Sequence, residues 1–281
     1  MMDWFTAGCR RRDVTFTAVA YLPAMVVTVL AAAHPTPPEH VYLFDCGGNV
    51  RHLVDDAPVA GSGIRVSAVD TTLPDRVRDG CAILAGWYDV QTDHLALRVQ
   101  LHAWADTNGT IPTKLLWLTS ALERAPDRDQ STPAPSRPDA QAVRAAARSV
   151  ESPFARSVGY VSPDGRMLLL AELGAPTRTR TPGMTLDFGW HAGTVELNPS
   201  NWDVTGRYAL FDLPSGTERG AVVSTTGAAS DDRVVCITQG GRIYVATARD
   251  TLTVLDVAEP GRRVSLGDLG LDLYWTACAA R

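Results

Sequence analysis

The chain has 281 residues, 26 Lys+Arg against 31 Asp+Glu for a formal charge of −5, and 45% apolar residues. That apolar share is enough to build a sizeable core and excludes a disordered chain, while the lack of a basic excess speaks against a nucleic-acid partner. The five cysteines (Cys9, Cys46, Cys81, Cys236, Cys278) are odd in number, far apart and without a CxxC pair. This predicts a reducing, cytoplasmic setting in which Cys46, Cys81 and Cys236 act as small buried hydrophobes.

From the amino terminus, Arg10-Arg11-Arg12 precedes an apolar run from Val14 to Leu30 that ends in Ala31-Ala32-Ala33, the outline of an export signal. Asp13, Thr15, Thr17, Thr28 and Pro23 interrupt it, and Val14-Thr15-Phe16-Thr17-Ala18 alternates as a half-buried strand does. Strands are therefore expected over 14–21 and 26–31, and no membrane span, which needs ~20 continuous apolar residues. Further strands are expected at 41–46, 64–69, 81–86, 95–104, 115–119, 158–161, 166–171, 184–188, 193–197, 207–213, 221–225, 233–238, 242–247, 251–257 and 271–276. Turn signals separate them, among them Cys46-Gly47-Gly48-Asn49, Ser162-Pro163-Asp164-Gly165 and Gln239-Gly240-Gly241. Many short strands with regular turns predict an all-β architecture. Two stretches depart from it. Residues 123–157 are rich in Pro and Ala, with Asp139 as the N-cap of a short helix, and read as an insertion within a single domain spanning 1–281. Residues 174–183 read as a loop carrying Arg178 and Arg180.

Three segments repeat an apolar strand closed by Asp: Val41-Tyr42-Leu43-Phe44-Asp45, Tyr208-Ala209-Leu210-Phe211-Asp212 and Leu252-Thr253-Val254-Leu255-Asp256. Asp212 and Asp256 are 44 residues apart, the length of one propeller blade. With the Ser-Pro-Asp-Gly-Arg turn at 162–166, these segments resemble WD-repeat β-propellers in degenerate form, without a Trp-Asp closing pair. The resemblance implies five to seven blades, a C-terminal segment (271–275) paired with amino-terminal strands, and a non-catalytic scaffold for protein partners within a larger assembly. On that reading the partner-facing residues are Arg178, Arg180, Trp190 and Trp202, together with the insertion.

A second reading starts from Tyr21-Leu22-Pro23 through Asp45-Cys46-Gly47-Gly48, which is similar to FtsK-type ATPase modules and to nucleotide-sugar glycosyltransferases, both α/β. The first needs a glycine-rich phosphate loop with Lys, whereas the only lysine, Lys114, lies in Ile111-Pro112-Thr113-Lys114. The second needs a metal-holding Asp-x-Asp, whose letters occur only as Asp127-Arg128-Asp129 in the insertion. His34, His40 and His52 are irregularly spaced beside Pro35, Pro37, Pro38 and Arg51, which predicts exposed side chains and no metal site. His94, His102 and His191 are isolated. Asp55-Asp56, Asp231-Asp232 and Asp164 read as solvated turn carboxylates. GxSxG is absent. No catalytic, cofactor or metal residue is assigned.

Overall fold

The computed structural model describes residues 20–22, 25–27, 38–71, 73, 83–100, 113–134, 139–174, 195–196, 204–224, 233–246, 251–273 and 276–280. The chain divides into two compact units, Met1–Pro38 and Glu39–Arg281. In the first, the described residues form one antiparallel pair, β1 (Ala20–Leu22) with β2 (Met25–Val27).

The second unit holds four sheets. In chain order its elements are β3 (His40–Asp45), β4 (Asn49–Val54), β5 (Ala57–Pro58), β6 (Ile64–Arg65), the helical turn α1 (Val66–Val69), β7 (Ile83–Asp89), β8 (His94–Gln100) and β9 (Thr113–Thr119). Then come the helix α2 (Ala140–Ser149), β10 (Ser157–Val161), β11 (Met167–Leu173), β12 (Val195–Glu196), β13 (Val204–Asp212) and β14 (Thr217–Val223). The last are β15 (Arg233–Ile237), β16 (Arg242–Ala246), β17 (Leu252–Asp256), β18 (Arg263–Leu266) and β19 (Thr276–Ala280). Sheet 1 is β7-β8-β9, sheet 2 is β19-β3-β4-β5 with β6 also on β4, sheet 3 is β15-β16-β17-β18, and sheet 4 is β12-β10-β11-β13-β14.

Every strand pairing among the described residues is antiparallel. The protein is mostly β, and the described helices are the short α1 and α2. An α/β half, with parallel strands and crossover helices, does not occur among the described residues. None of the described helices is long and apolar enough to cross a membrane.

The sheets stack face to face, and period-2 alternation decides which core each side chain enters. On β3, Tyr42 and Phe44 point toward sheet 1 and join Leu95, Leu97, Leu116 and Leu118. Val41 and Leu43 point the other way, toward Tyr244, Leu252 and Val254 of sheet 3. Ile243 and Val245 of sheet 3 in turn meet Leu169, Tyr208 and Leu210 of sheet 4. A sheet buried on both faces needs near-continuous apolar strands, and Val41-Tyr42-Leu43-Phe44 is such a run. Sheets 1 and 2 pack tightly at Gly86, where a Cβ would lie 2.5 Å from Phe44 Cε1 of the buried ring.

Described residues of the 123–157 stretch pack on the outward faces of sheets 4 and 1. Asp139 accepts a hydrogen bond from Gln141 N at 2.9 Å and so starts α2. Val143 and Ala147 of α2 pack on Leu168, Leu170, Ala209 and Phe211 of sheet 4. At the other end, Ala125 packs with Ala96 and Trp117 on the outer face of sheet 1. The insertion is thus a folded cover.

Two expectations shift in register. The strand that pairs with the amino-terminal sheet is β19, not 271–275: Thr276 opposes Asp45 and Ala280 opposes Val41. Leu271 and Leu273 are buried in the core between sheets 2 and 3 instead. Because β19 occupies the first place in sheet 2, Asp45 closes the second strand of its sheet. Asp212 and Asp256 close the third, counting from β10 and β15. The three Asp endings are therefore not equivalent positions. Residues 64–69, expected as a strand, turn into α1 after two strand residues.

Candidate functional site

The four residues expected to face a partner, Arg178, Arg180, Trp190 and Trp202, lie outside the described residues. Polar groups gather instead where the start of β3 and the end of β4 meet the turns of the neighbouring sheets.

The hairpin turn between β4 and β5 is made by Asp55 (φ 49°) and Asp56 (φ 67°). Two successive positive φ values define a type I′ turn, normally an Asn-Gly or Asp-Gly site. Here the turn carries Asp56 inward. Its side chain is 3% exposed, so the expectation of a solvated carboxylate is corrected at this residue. Tyr244 Oη donates to Asp56 Oδ1 at 2.8 Å, and Asp56 Oδ2 stands 3.0 Å from Arg262 Nη2 and 3.5 Å from Arg242 Nε. Arg242 also pairs with Glu39 Oε2 at 3.1 Å and Asp55 Oδ1 at 3.3 Å, and Arg262 with Asp256 Oδ2 at 3.6 Å. Four carboxylates thus share two guanidiniums, one of them deep enough that its ion pairs escape much of the solvent screening.

The environment shifts these groups. Burial raises the Glu39 carboxyl above its ordinary value, against the opposing pull of Arg242. Burial alone would lower Arg242, but Glu39 and Asp56 hold it above the usual arginine range. Burial, with Asp56 beside it, pushes the Tyr244 phenol up. Tyr244 therefore donates its proton and does not release it at physiological pH.

Adjacent to this network, His40 Nδ1 and His52 Nε2 are 3.0 Å apart and share a hydrogen bond. The register places Tyr42 opposite His52, and the rings stack at 4.3 Å, with His40 on one side at 5.1 Å from His52 and Tyr88 at 5.3 Å from Tyr42. Tyr88 also donates to Asp93. Burial, then the neighbouring His40, pushes His52 down to about 4. The expectation of exposed histidines fails at His52, which is 6% exposed. A spacing of 12 residues gives no sign of the pairing, because it exists only through the β3–β4 register.

The letters that favoured an enzyme are used elsewhere. Lys114 Nζ pairs with the buried Asp70, which also meets Arg124 Nη1 at 3.0 Å. Asp127 Oδ1 lies 3.3 Å from His94 Nε2, while Asp129 accepts from Ser131 N at 2.9 Å and Thr132 N at 3.1 Å. The Asp-x-Asp carboxylates serve separate partners. Among the described residues no group of three or more His, Cys, Asp or Glu is placed to hold a metal ion. Asp164 forms the expected turn, accepting from Arg166 N at 3.1 Å.

The turns of successive sheets are tied to one another at this end of the stack. Gln239 Nε2 of sheet 3 donates to Asp164 Oδ2 of sheet 4 at 2.6 Å, and Gly240 N to Glu39 Oε1, next to sheet 2, at 3.2 Å. Arg219 Nη1 of sheet 4 reaches Gln239 O at 3.0 Å.

The cysteine expectation is corrected. Cys236 of β15 and Cys278 of β19 form a disulfide, with Cα atoms 5.6 Å apart, that joins sheets 3 and 2 at their first strands. Cys46 is disulfide-bonded as well. The odd count and wide spacing concealed this, because strands distant in sequence become neighbours only in the stack.

No family model matches the chain, and no curated protein matches it. Among solved structures, the chain is similar to apo AztD from Citrobacter koseri at 12% identity, over 83% of this chain and 55% of that one, with a TM-score of 0.21. It is also similar to a eukaryotic initiation factor at 10% identity, over 87% of this chain and 46% of that one, with a TM-score of 0.22. The chain thus spans about half the length of these structures, and no site or activity is carried over from them.

Proposed function

We propose that the chain is a non-catalytic protein-binding scaffold, built as a β-propeller-like ring and folded in an oxidising compartment. The ring is supported by the order of the sheets. β19 lies between β7 and β15, so the first strands of sheets 1, 2 and 3 are neighbours, as around a common axis. The compartment, in place of the cytoplasm expected from cysteine spacing, is supported by the Cys236–Cys278 bond and the bonded Cys46.

The observation that carries the binding role is the knitting of turns from sheets 2, 3 and 4 into one surface by Asp164–Gln239, Gly240–Glu39 and Arg242–Asp55. Rigid loops on a rigid stack lose little conformational entropy when a partner docks, which favours binding. The test is cross-linked capture of the tagged chain from its own cells, with Arg166→Glu plus Glu218→Arg as the comparison. Both side chains are exposed at these turns, so the fold should keep its melting temperature. Loss of a stoichiometric partner in the variant supports the reading. A chain that captures nothing stoichiometric, or a partner held equally by the variant, overturns it.

A further inference from the structure

A second polar feature lies on the opposite side of sheet 1 from the core it shares with sheet 2. A cleft of about 260 Å³ opens between the outer face of β8 and β9 and residues 130–134 of the insertion, lined by Arg98, Thr113, Lys114, Leu115, Gln130 and Thr132 among others, with the Lys114 ammonium paired to the buried Asp70. Among the described residues no carboxylate lines it. The acid within the loop, Asp129, is turned back on its own backbone: hydrogen bonds from the Ser131 side chain and from Ser131 N and Thr132 N hold its carboxyl below the usual range.

Arg98 is exposed, and among the described residues its guanidinium meets neither a carboxylate nor a carbonyl. Its contact is the face of Trp87, 5.1 Å from the ring centroid. Stacking of this kind positions the planar fork while leaving its N–H edge open. The Gln130 amide and Thr113 hydroxyl likewise have no hydrogen-bond partner among the described residues.

We propose that this cleft binds a small organic carboxylate, with Arg98 engaging the carboxylate and Gln130 and Thr113 as donors to its remaining oxygens. One unpaired guanidinium with uncharged donors suits a planar monoanion, since a fork matches a carboxylate edge to edge. A dianion such as phosphate would meet a single unpaired cation, because the Lys114 charge is already matched by Asp70, and with the exposed Asp127 carboxylate on the same loop it is disfavoured. The site is independent of the scaffold reading.

The test is calorimetric titration of the full chain with glucuronate, lactate and inorganic phosphate at low ionic strength, repeated on Arg98→Gln and Arg98→Lys. At least one carboxylate should saturate a single site below about 1 mM, at least about tenfold tighter than phosphate. Arg98→Gln should weaken it at least about tenfold, and Arg98→Lys less, because a charge-assisted fork is lost in one and a charge kept in the other. Unchanged melting temperatures would show that the variants are folded. No saturation by either carboxylate up to about 10 mM, equal binding by Arg98→Gln, or phosphate binding as tightly as the carboxylates would each overturn the assignment.

Discussion

Replacing Cys236 and Cys278 together by alanine tests whether the bond between sheets 2 and 3 stabilises the fold. The two residues are separated by 42 positions in the chain. In the chain-entropy account, closing a loop of that length removes about 13 cal/mol/K from the unfolded ensemble, or about 4 kcal/mol at 25 °C. Both residues are fully buried, so the loss of two sulfurs adds a smaller packing cost of the same sign. For a unit of this size, about 4 kcal/mol corresponds to a fall of roughly 8–16 °C in melting temperature. The assay is scanning calorimetry of the oxidised wild type against the double variant, with the Cys46 bond left intact in both. A thiol titration in denaturant without reductant gives an independent count: with Cys236, Cys278 and Cys46 bonded, at most two of the five cysteines should react. A change in melting temperature below about 2 °C, or four or more free thiols, would refute the covalent tie and with it the oxidising compartment.

His52 makes stability depend on pH. Its folded value of about 4 lies below the ordinary 6.5, so its contribution is present above about 6.5 and is lost as pH falls toward 4. Full loss amounts to at most about 3 kcal/mol. Glu39, whose value is raised, acts in the opposite sense: its contribution is present below its ordinary value and lost as pH rises. His52→Phe, which keeps a ring against Tyr42, should flatten the denaturation midpoint between pH 6.5 and 4; an unchanged slope would remove His52 as the cause. On α2, Val143→Asp should cost about 3 kcal/mol by urea unfolding, because it drives a carboxylate against Leu168 and Phe211. Ala145→Asp on the exposed face should stay within about 0.5 kcal/mol, and equal effects of the two would refute the packing of the helix.

The strands that were legible in the sequence are those whose apolar runs are buried on both faces, such as Val41–Phe44 and Met167–Ala171, and the Asp139 cap was legible by its chemistry. β4 was not, because Asn49, Arg51 and His52 break its pattern. Each is satisfied by something remote in sequence or local in the turn: Asn49 binds Asp45, Arg51 reaches Leu269 O, and His52 meets His40. β19 (Thr276-Ala277-Cys278-Ala279-Ala280) has little intrinsic strand preference, and its pairing with β3 and its bond to Cys236 hold it in place. For the polar cluster, the double Asp did mark a turn, but nothing in the sequence tells that Asp56 points inward. That follows from the positive φ at both turn residues and from Tyr244, Arg242 and Arg262 on the adjacent sheet.

The pairing of β19 with β3 sets a timetable for biosynthesis. Residue 276 is made about 230 residues after Asp45, which at about 5–20 residues per second is an interval on the order of 10–50 s. Through that interval the edge of β3 that β19 will pair with has no neighbour. Until then its unpaired backbone N–H and C=O groups are a template for wrong strand partners, a hazard that ends when β19 docks.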